Sequence, residues 1–198
     1  MKIFNTTNPR LRNFEPENPK LWVPRTIGLG WDLNIGAVAV KLGLIRPDDS
    51  LPDLEEHIPR EVTTTLRIAP ILGAAAVAAA GIQLARTHDR LPSNWGLTMK
   101  PTRWSNAPAA VAPPVLISVG SAVWATATPR VDVTLAAQAL GLQTMSLLLL
   151  AAAARPSSRM LPAAGLVTLP AVATGILTAT VRSALNNLDT KLKAEKDS

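Results

Sequence analysis

The sequence predicts an all-α membrane protein with four transmembrane helices, a small N-terminal segment bound at the membrane surface, and a C-terminal helical extension. Of the 198 residues, 47% are hydrophobic. Ionisable side chains are concentrated before residue 68, around Lys100, after residue 181 and in short connections. The rest of the chain forms four apolar blocks close to the ~20 residues that cross the bilayer's hydrocarbon core as a helix.

We predict three segments. Residues 1–66 form a cytoplasmic, membrane-surface segment, called the appendage below. Residues 67–182 form the transmembrane domain, and residues 183–198 form an amphipathic helical tail. The start of the chain is polar and has no apolar block followed by a cleavage site, so no secretory signal is expected.

In the appendage, the residues from Ile35 to Leu44 predict a short helix on the membrane surface, with Trp22 and Trp31 at headgroup depth. Gly28 and Gly30 favour a turn rather than a dinucleotide loop, because Leu33 stands where such a loop needs its third glycine.

The stretch DDSLPDLEEH, from residue 48 to residue 57, is the one acidic cluster that resembles a metal site. Asp53, Glu56 and His57 could share a helical face. An ordinary helix start explains the cluster better, with Ser50 as the cap and Asp53 completing a capping box. We therefore predict no metal site.

The four spans are predicted at about 68–85, 109–128, 133–154 and 160–181. The second, third and fourth are joined by short loops, which force antiparallel neighbours. Small residues spaced four apart let another helix approach closely, whether it belongs to this chain or to another. The residues predicted to pack in this way are Gly73, Ser118, Ala122, Ala171, Gly175 and Ala179.

The spans contain no Asp, Glu, Lys, Arg or His. Ion-coupled transport and proton relays normally use such groups inside the bilayer. The glutamines Gln83, Gln138 and Gln143 are expected to form hydrogen bonds across helices instead. There is no cysteine, so disulfides and thiolate chemistry are excluded. We predict no cofactor and no enzymatic activity, and no nucleic-acid partner, because the cations are dispersed along loops and tails.

The stretch LPSNWGLTMKPTRW, residues 91–104, links the first two spans. Its tryptophans, Trp95 and Trp104, suit the headgroup layer, while Lys100 and Arg103 can meet lipid phosphates. Contact with a partner or ligand is the alternative interpretation of the same four residues.

Four spans place both termini on one side of the membrane. A small excess of basic residues on that side favours both ends in the cytoplasm, in the plasma membrane of a bacterium. Beyond Arg182, the residues Leu185, Leu188 and Leu192 recur at helical spacing and predict an apolar stripe on the tail. That stripe could contact the appendage or another protein.

Two stretches resemble known families. The motif NPKLWVPRTIGLGWDLN, residues 18–34, resembles a small bacterial domain of unknown function. The first apolar block, the loop after it and the next block resemble the membrane domain of unknown function found in Sdp-type immunity proteins. The loop residues that carry this second resemblance are Leu91, Pro92, Trp95, Gly96, Arg103 and Trp104, with Asn94 in place of the family's usual His.

These resemblances imply a multi-pass membrane protein with a small surface-bound appendage, and neither supplies a catalytic residue. We therefore predict a non-catalytic accessory or stabilising subunit of a larger bacterial membrane complex, whose partners are other membrane subunits and lipid. The alternatives are an immunity or sensing protein that binds a toxin or peptide at its outer loop, and a small transporter.

Overall fold

The computed structural model describes residues 15–24, 31–48, 54–127 and 129–196. The chain divides into two compact units, one made of Met1–Thr63 with Thr174–Ser198 and the other of Thr64–Ala173. The described elements, in chain order, are β1 (Trp22–Pro24), β2 (Trp31–Leu33), α1 (Ile35–Lys41), a 3-10 turn (Glu55–His57), α2 (Arg60–Thr87), β3 (Arg90–Trp95), β4 (Pro101–Asn106), α3 (Ala107–Thr126), α4 (Val133–Ala154) and α5 (Met160–Lys196).

Helices α2 to α5 are each long and apolar enough to cross a membrane, which confirms the predicted class. Helix α2 has 28 residues and α5 has 37. At 1.5 Å per residue they measure about 42 and 55 Å, more than the ~30 Å hydrocarbon core. Each therefore extends beyond its predicted span, and α5 continues past Arg182 as expected.

In the unit Thr64–Ala173, helices approach one another closely at glycines. A Cβ on Gly81 of α2 would lie 2.7 Å from Val115 of α3, and a Cβ on Gly141 of α4 would lie 2.9 Å from the backbone oxygen of Leu169 in α5. At Gly141 the neighbouring backbone leaves no room for a side chain, and at Gly81 the side chain of Val115 fills that room. These two glycines are therefore contact points between helices of this unit.

Polar side chains cap the helix ends in this unit. Asn106 accepts a hydrogen bond from the amide of Ala109 at the start of α3, and Asp132 accepts one from the amide of Leu135 at the start of α4. Arg67 of α2 donates to the carbonyl of Pro129 in the α3–α4 connection, at 2.6 Å. The first two bonds satisfy amides that a helix start leaves unpaired, and the third ties α2 to the α3–α4 connection.

Large apolar side chains cover the outside of these helices. Those more than 60% exposed in α3 and in the first half of α5 are Leu116, Val123, Trp124, Met160, Leu166 and Val167. A water-soluble helix would carry polar residues on its outer face. This surface therefore suits hydrocarbon as its solvent.

In the other unit, α1 forms where a short surface helix is predicted. Its end is a Schellman motif, in which the amide of Leu44 donates to Ala39 and that of Gly43 donates to Val40. Gly43 has a φ of 67°, in the left-handed region that favours glycine. The predicted turn at Gly28 and Gly30 and the capping box of Ser50 and Asp53 lie outside the described residues.

The tail stripe of α5 is covered near its start and uncovered at its end. Val181 and Ala184 are fully buried, Leu185 and Leu188 are half-buried, and Leu192 is 48% exposed. Beside this stripe, the side-chain amide of Asn187 donates to the backbone carbonyl of His57 in the 3-10 turn, at 2.8 Å. The tail thus contacts the appendage, one of the two arrangements that the sequence left open.

Candidate membrane-interface site

The stretch between the first two spans is a β-hairpin, where the sequence predicted a loop. Strands β3 and β4 are antiparallel, with Leu91 opposite Ser105 and Pro92 opposite Trp104, and the register shifts around residues 92–95. The hydroxyls of Ser93 and Ser105 form a hydrogen bond of 2.8 Å across the strands. This part of an otherwise helical chain is therefore an ordered platform.

The hairpin is fixed by its first two residues. Leu91 and Pro92 are fully buried, and Leu91 belongs to the same apolar core as Val77 of α2, Val111 of α3 and Leu150 of α4. Burying a leucine side chain stabilises by about 1.5–3 kcal/mol. The Leu-Pro pair of the loop motif is thus an anchor for the hairpin.

The two tryptophans of the hairpin differ in their surroundings. Trp95 packs against the apolar core, and its buried ring nitrogen has no hydrogen-bond partner among the described residues. Trp104 is 45% exposed. Of the two predicted interface residues, Trp104 is therefore the one whose ring is free to meet lipid or a ligand.

The tip of the hairpin is closed by two backbone hydrogen bonds, from Gly96 to the carbonyl of Lys100 and from Met99 to the carbonyl of Gly96, each 2.9 Å. Leu97, at the tip, is fully exposed. Lys100 and Arg103 are also exposed. The tip thus presents one apolar side chain flanked by cations, a composition found at membrane surfaces.

An open groove of about 440 Å³ lies beside the hairpin. Lys100, Pro101 and Trp104 form one wall, while Pro156, Ser157 and Arg159 of the α4–α5 connection form the other. Arg159 was not singled out from the sequence as a site residue. Its only sequence signal is its position at the end of a span.

The other predicted interface tryptophans, Trp22 and Trp31, lie on the two-stranded ribbon of the appendage. The register pairs Trp22 with Leu33 and Pro24 with Trp31, so the two tryptophans share one face of the ribbon. Both are more than half exposed, whereas Val23 between them is buried on the other face. Two adjacent exposed indole rings suit the headgroup layer.

One buried asparagine organises the described part of the appendage. The side-chain nitrogen of Asn34 donates to the backbone carbonyls of Glu15, Asn18 and Lys20, at 2.8, 3.1 and 3.2 Å. Its side-chain oxygen accepts from the amides of Glu15 and Ala37, at 2.9 and 3.2 Å, and so caps α1. Asn34 is fully buried, and its role is to fix the backbone.

The predicted helix-packing residues divide into two groups. Ser118 and Ala122 of α3 are buried, and Gly73 of α2 lies against the side chain of Gln143 in α4. The three in α5, by contrast, are exposed. They are Ala171, Gly175 and Ala179, and a Cβ on Gly175 would meet nothing within 4 Å.

Gln143 is buried where three helices meet. Its amide nitrogen donates to the carbonyl of Pro70 in α2, at 2.8 Å, and at 3.4 Å to that of Ser118 in α3. Its oxygen has no hydrogen-bond partner among the described residues and lies against the backbone of Gly73. The expectation that glutamines bond across helices therefore holds for Gln143. Gln83 is exposed and Gln138 is half-buried, and within the described residues neither side chain bonds to another helix. In the described ranges, no three His, Asp or Glu side chains are close enough together to hold a metal ion.

Comparison with known proteins gives one match. The model of a family of unknown function, DUF5808, matches residues 16–41. No curated protein and no solved structure shows significant similarity to the chain. The match is consistent with the predicted domain of unknown function in the appendage. The resemblance to immunity proteins stays a prediction.

The matched residues include Asn34 and a second structural position, Gly36. A Cβ on Gly36 would lie 2.6 Å from the nitrogen of Pro16 and 2.8 Å from backbone atoms of Glu15. These main-chain atoms belong to the segment that Asn34 holds by hydrogen bonds. The segment therefore cannot move away from a side chain at position 36 without breaking those bonds.

We expect Gly36→Ala to destabilise the appendage by about 1–3 kcal/mol, the usual cost of overpacking. Faster hydrogen exchange at the amides of α1 would report this loss. Gly43→Asn is the control, because asparagine tolerates the left-handed backbone there. Exchange as slow in Gly36→Ala as in the unaltered protein would contradict the close approach.

Proposed function

We propose that this protein is a non-catalytic accessory subunit that stabilises a larger membrane complex through helix-face contacts. Partner subunits and lipid are its proposed ligands. The observation that carries the proposal is the exposure of small residues on α5. Residues such as Ala173, Leu177 and Val181 are fully buried, whereas Ala171, Gly175 and Ala179 on the same helix are not covered.

Small residues contribute little contact with lipid chains but allow two helices to approach closely. In a membrane, where helices gain nothing from leaving water, such packing and interhelical hydrogen bonds drive association. The exposed four-residue spacing on α5 therefore suits a partner helix better than it suits lipid. Leu166 and Val167, which precede it, are large exposed side chains of the kind that lipid contacts well.

Extraction from native membranes with a mild detergent, followed by mass measurement, tests this proposal. We expect the chain to run with partner subunits, and Gly175→Leu to lose most of the partner mass. The matched control is Gly120→Leu in α3, since a Cβ there also meets nothing within 4 Å. A free monomer in the unaltered protein, or equal loss in both variants, would count against the proposal.

We further propose that the chain lies in the bacterial plasma membrane with both termini in the cytoplasm. Four apolar helices support an even number of crossings. The basic residues near the ends of the spans favour this orientation by a small margin.

A second candidate function is an immunity or sensing role at the outer hairpin. The specific observation in its favour is that the hairpin is anchored by buried residues while Trp104 and Leu97 are presented outward. A rigid aromatic group beside a groove is a common anchor for a peptide.

This candidate predicts that a deletion strain is killed in conditioned medium from its parent and is protected by the unaltered gene. Trp104→Ala should abolish protection, whereas Trp124→Ala, which removes another exposed tryptophan, should retain it. Protection that survives Trp104→Ala would exclude the hairpin as the binding surface.

A further inference from the structure

The groove beside the hairpin, defined above by its six lining residues, joins two segments that are far apart in the sequence. Its volume of about 440 Å³ falls within the roughly 300–1,000 Å³ typical of small-molecule sites. Pro101 and Pro156, one on each wall, restrict the backbone. The groove is thus an open concavity on the surface, large enough for a headgroup whose lipid chains remain outside it.

The charge of the groove is positive and unopposed. Lys100 stands on one wall and Arg159 on the other, and no acidic residue is among the residues that line the groove. Residues 64–173 contain 8 Lys and Arg residues and only 2 Asp and Glu residues, so the net charge of this unit is +6. The two acids, Asp89 and Asp132, are not among the lining residues.

The two cations offer different chemistry to an anion. A guanidinium group can donate two parallel hydrogen bonds to a phosphate, whereas an ammonium group acts as a compact point charge. Trp104, which is 45% exposed, adds an aromatic surface beside them. Tryptophan rings prefer the depth of the lipid headgroups, next to the phosphates.

The position of the groove identifies the source of the anion. One wall belongs to the hairpin between α2 and α3, and the other belongs to the connection between α4 and α5. The groove therefore lies beyond the ends of the apolar helices. This is the level at which lipid phosphates are concentrated. We propose that the groove binds the phosphate of an anionic lipid headgroup, held by Arg159 and Lys100 with Trp104 alongside. This inference goes beyond the proposed function, which names lipid only in general: it assigns an anionic lipid to one site, and it does not depend on a partner subunit.

The test uses the full chain in phosphatidylcholine nanodiscs that contain a minor share of phosphatidylglycerol, with retained lipid counted by native mass spectrometry. We expect Lys100→Gln and Arg159→Gln each to weaken retention of phosphatidylglycerol by about 10- to 100-fold, the effect of losing a direct hydrogen bond between a cation and a phosphate. The controls are Arg86→Gln and Arg155→Gln, which remove the same charge from exposed positions at the hairpin end of the unit but outside the groove. They should weaken retention by no more than the roughly fivefold effect of one basic residue near an anionic surface.

Lys100→Arg keeps the charge and should keep the lipid, which separates loss of binding from loss of folding. Equal weakening by all four glutamine variants would overturn the proposal in favour of diffuse attraction to the surface. Displacement of the lipid by soluble glycerol 1-phosphate at similar concentration would also overturn it, because a water-soluble phosphate would then be the ligand.

Discussion

Replacing Asn34 by alanine is expected to unfold the described part of the appendage. The change removes five hydrogen bonds from a fully buried side chain and exposes three backbone carbonyls and two amides to a cavity. At about 0.5–1.5 kcal/mol for each of the five bonds, we expect a loss of about 2.5–7.5 kcal/mol. A segment this small has little stability in reserve.

Hydrogen exchange measures this effect directly. In the unaltered protein, the amides of Val38 and Leu42 are bonded within α1 and should exchange slowly. They should exchange near the unfolded rate in Asn34→Ala. Asn18→Ala is the matched control, because the Asn18 side chain bonds only to Glu15 and Lys20 at the surface and should cost less than about 1 kcal/mol.

Asn34→Asp separates the cap from the rest of the network. It keeps an oxygen that can accept from Ala37, but replaces the donating amide with a carboxylate facing three carbonyls. We expect it to be as damaging as alanine. Slow exchange in both variants would show that Asn34 does not hold the appendage.

Replacing Gly73 by alanine is expected to destabilise the protein when residue 143 is glutamine. The same change is expected to stabilise it when residue 143 is alanine. In the unaltered chain, a Cβ on Gly73 would overlap the side-chain oxygen of Gln143 and lie 2.9 Å from Cδ. Gln143 would have to leave its hydrogen bonds to Pro70 and Ser118. We expect a cost of about 1–3 kcal/mol.

In a Gln143→Ala background the same Gly73→Ala change should stabilise the protein by about 0.5–1 kcal/mol, because alanine is the better helix former. The remaining neighbour, Cβ of residue 143, would be at an ordinary contact distance of 3.7 Å. Reversible unfolding by SDS in mixed micelles, followed by far-ultraviolet circular dichroism, gives the four free energies. Additive effects would contradict the contact between α2 and α4.

The membrane-spanning helices could be predicted because long apolar blocks end at charges and prolines. The continuation of α5 past Arg182 could be predicted from its apolar stripe, whereas the extent of α2 before its span could not. Polar residues such as Glu61 and Arg67 continue α2, and no change in helical geometry marks the membrane surface.

The hairpin could not be predicted because Pro92 and Pro101 weaken a strand signal and no regular alternation replaces it. Its order comes from the burial of Leu91 against three helices, which only tertiary structure reveals. Gln143 was recognisable as an amide that needs a partner, yet its partner depends on helix rotation. Asn34 carried a usable signal, an asparagine directly before a short apolar helix.

The central claim is that four helices cross the bilayer, and the absence of cysteine makes it directly testable. Single cysteines at Leu97 in the hairpin tip and Ser157 in the α4–α5 connection should react with a membrane-impermeant maleimide from the same side. A cysteine at Ala127, after α3, should react only from the opposite side. One at Leu166, exposed on α5, should not react in lipid. Labelling of Leu97 and Ala127 from one side, or ready labelling of Leu166, would contradict the four crossings.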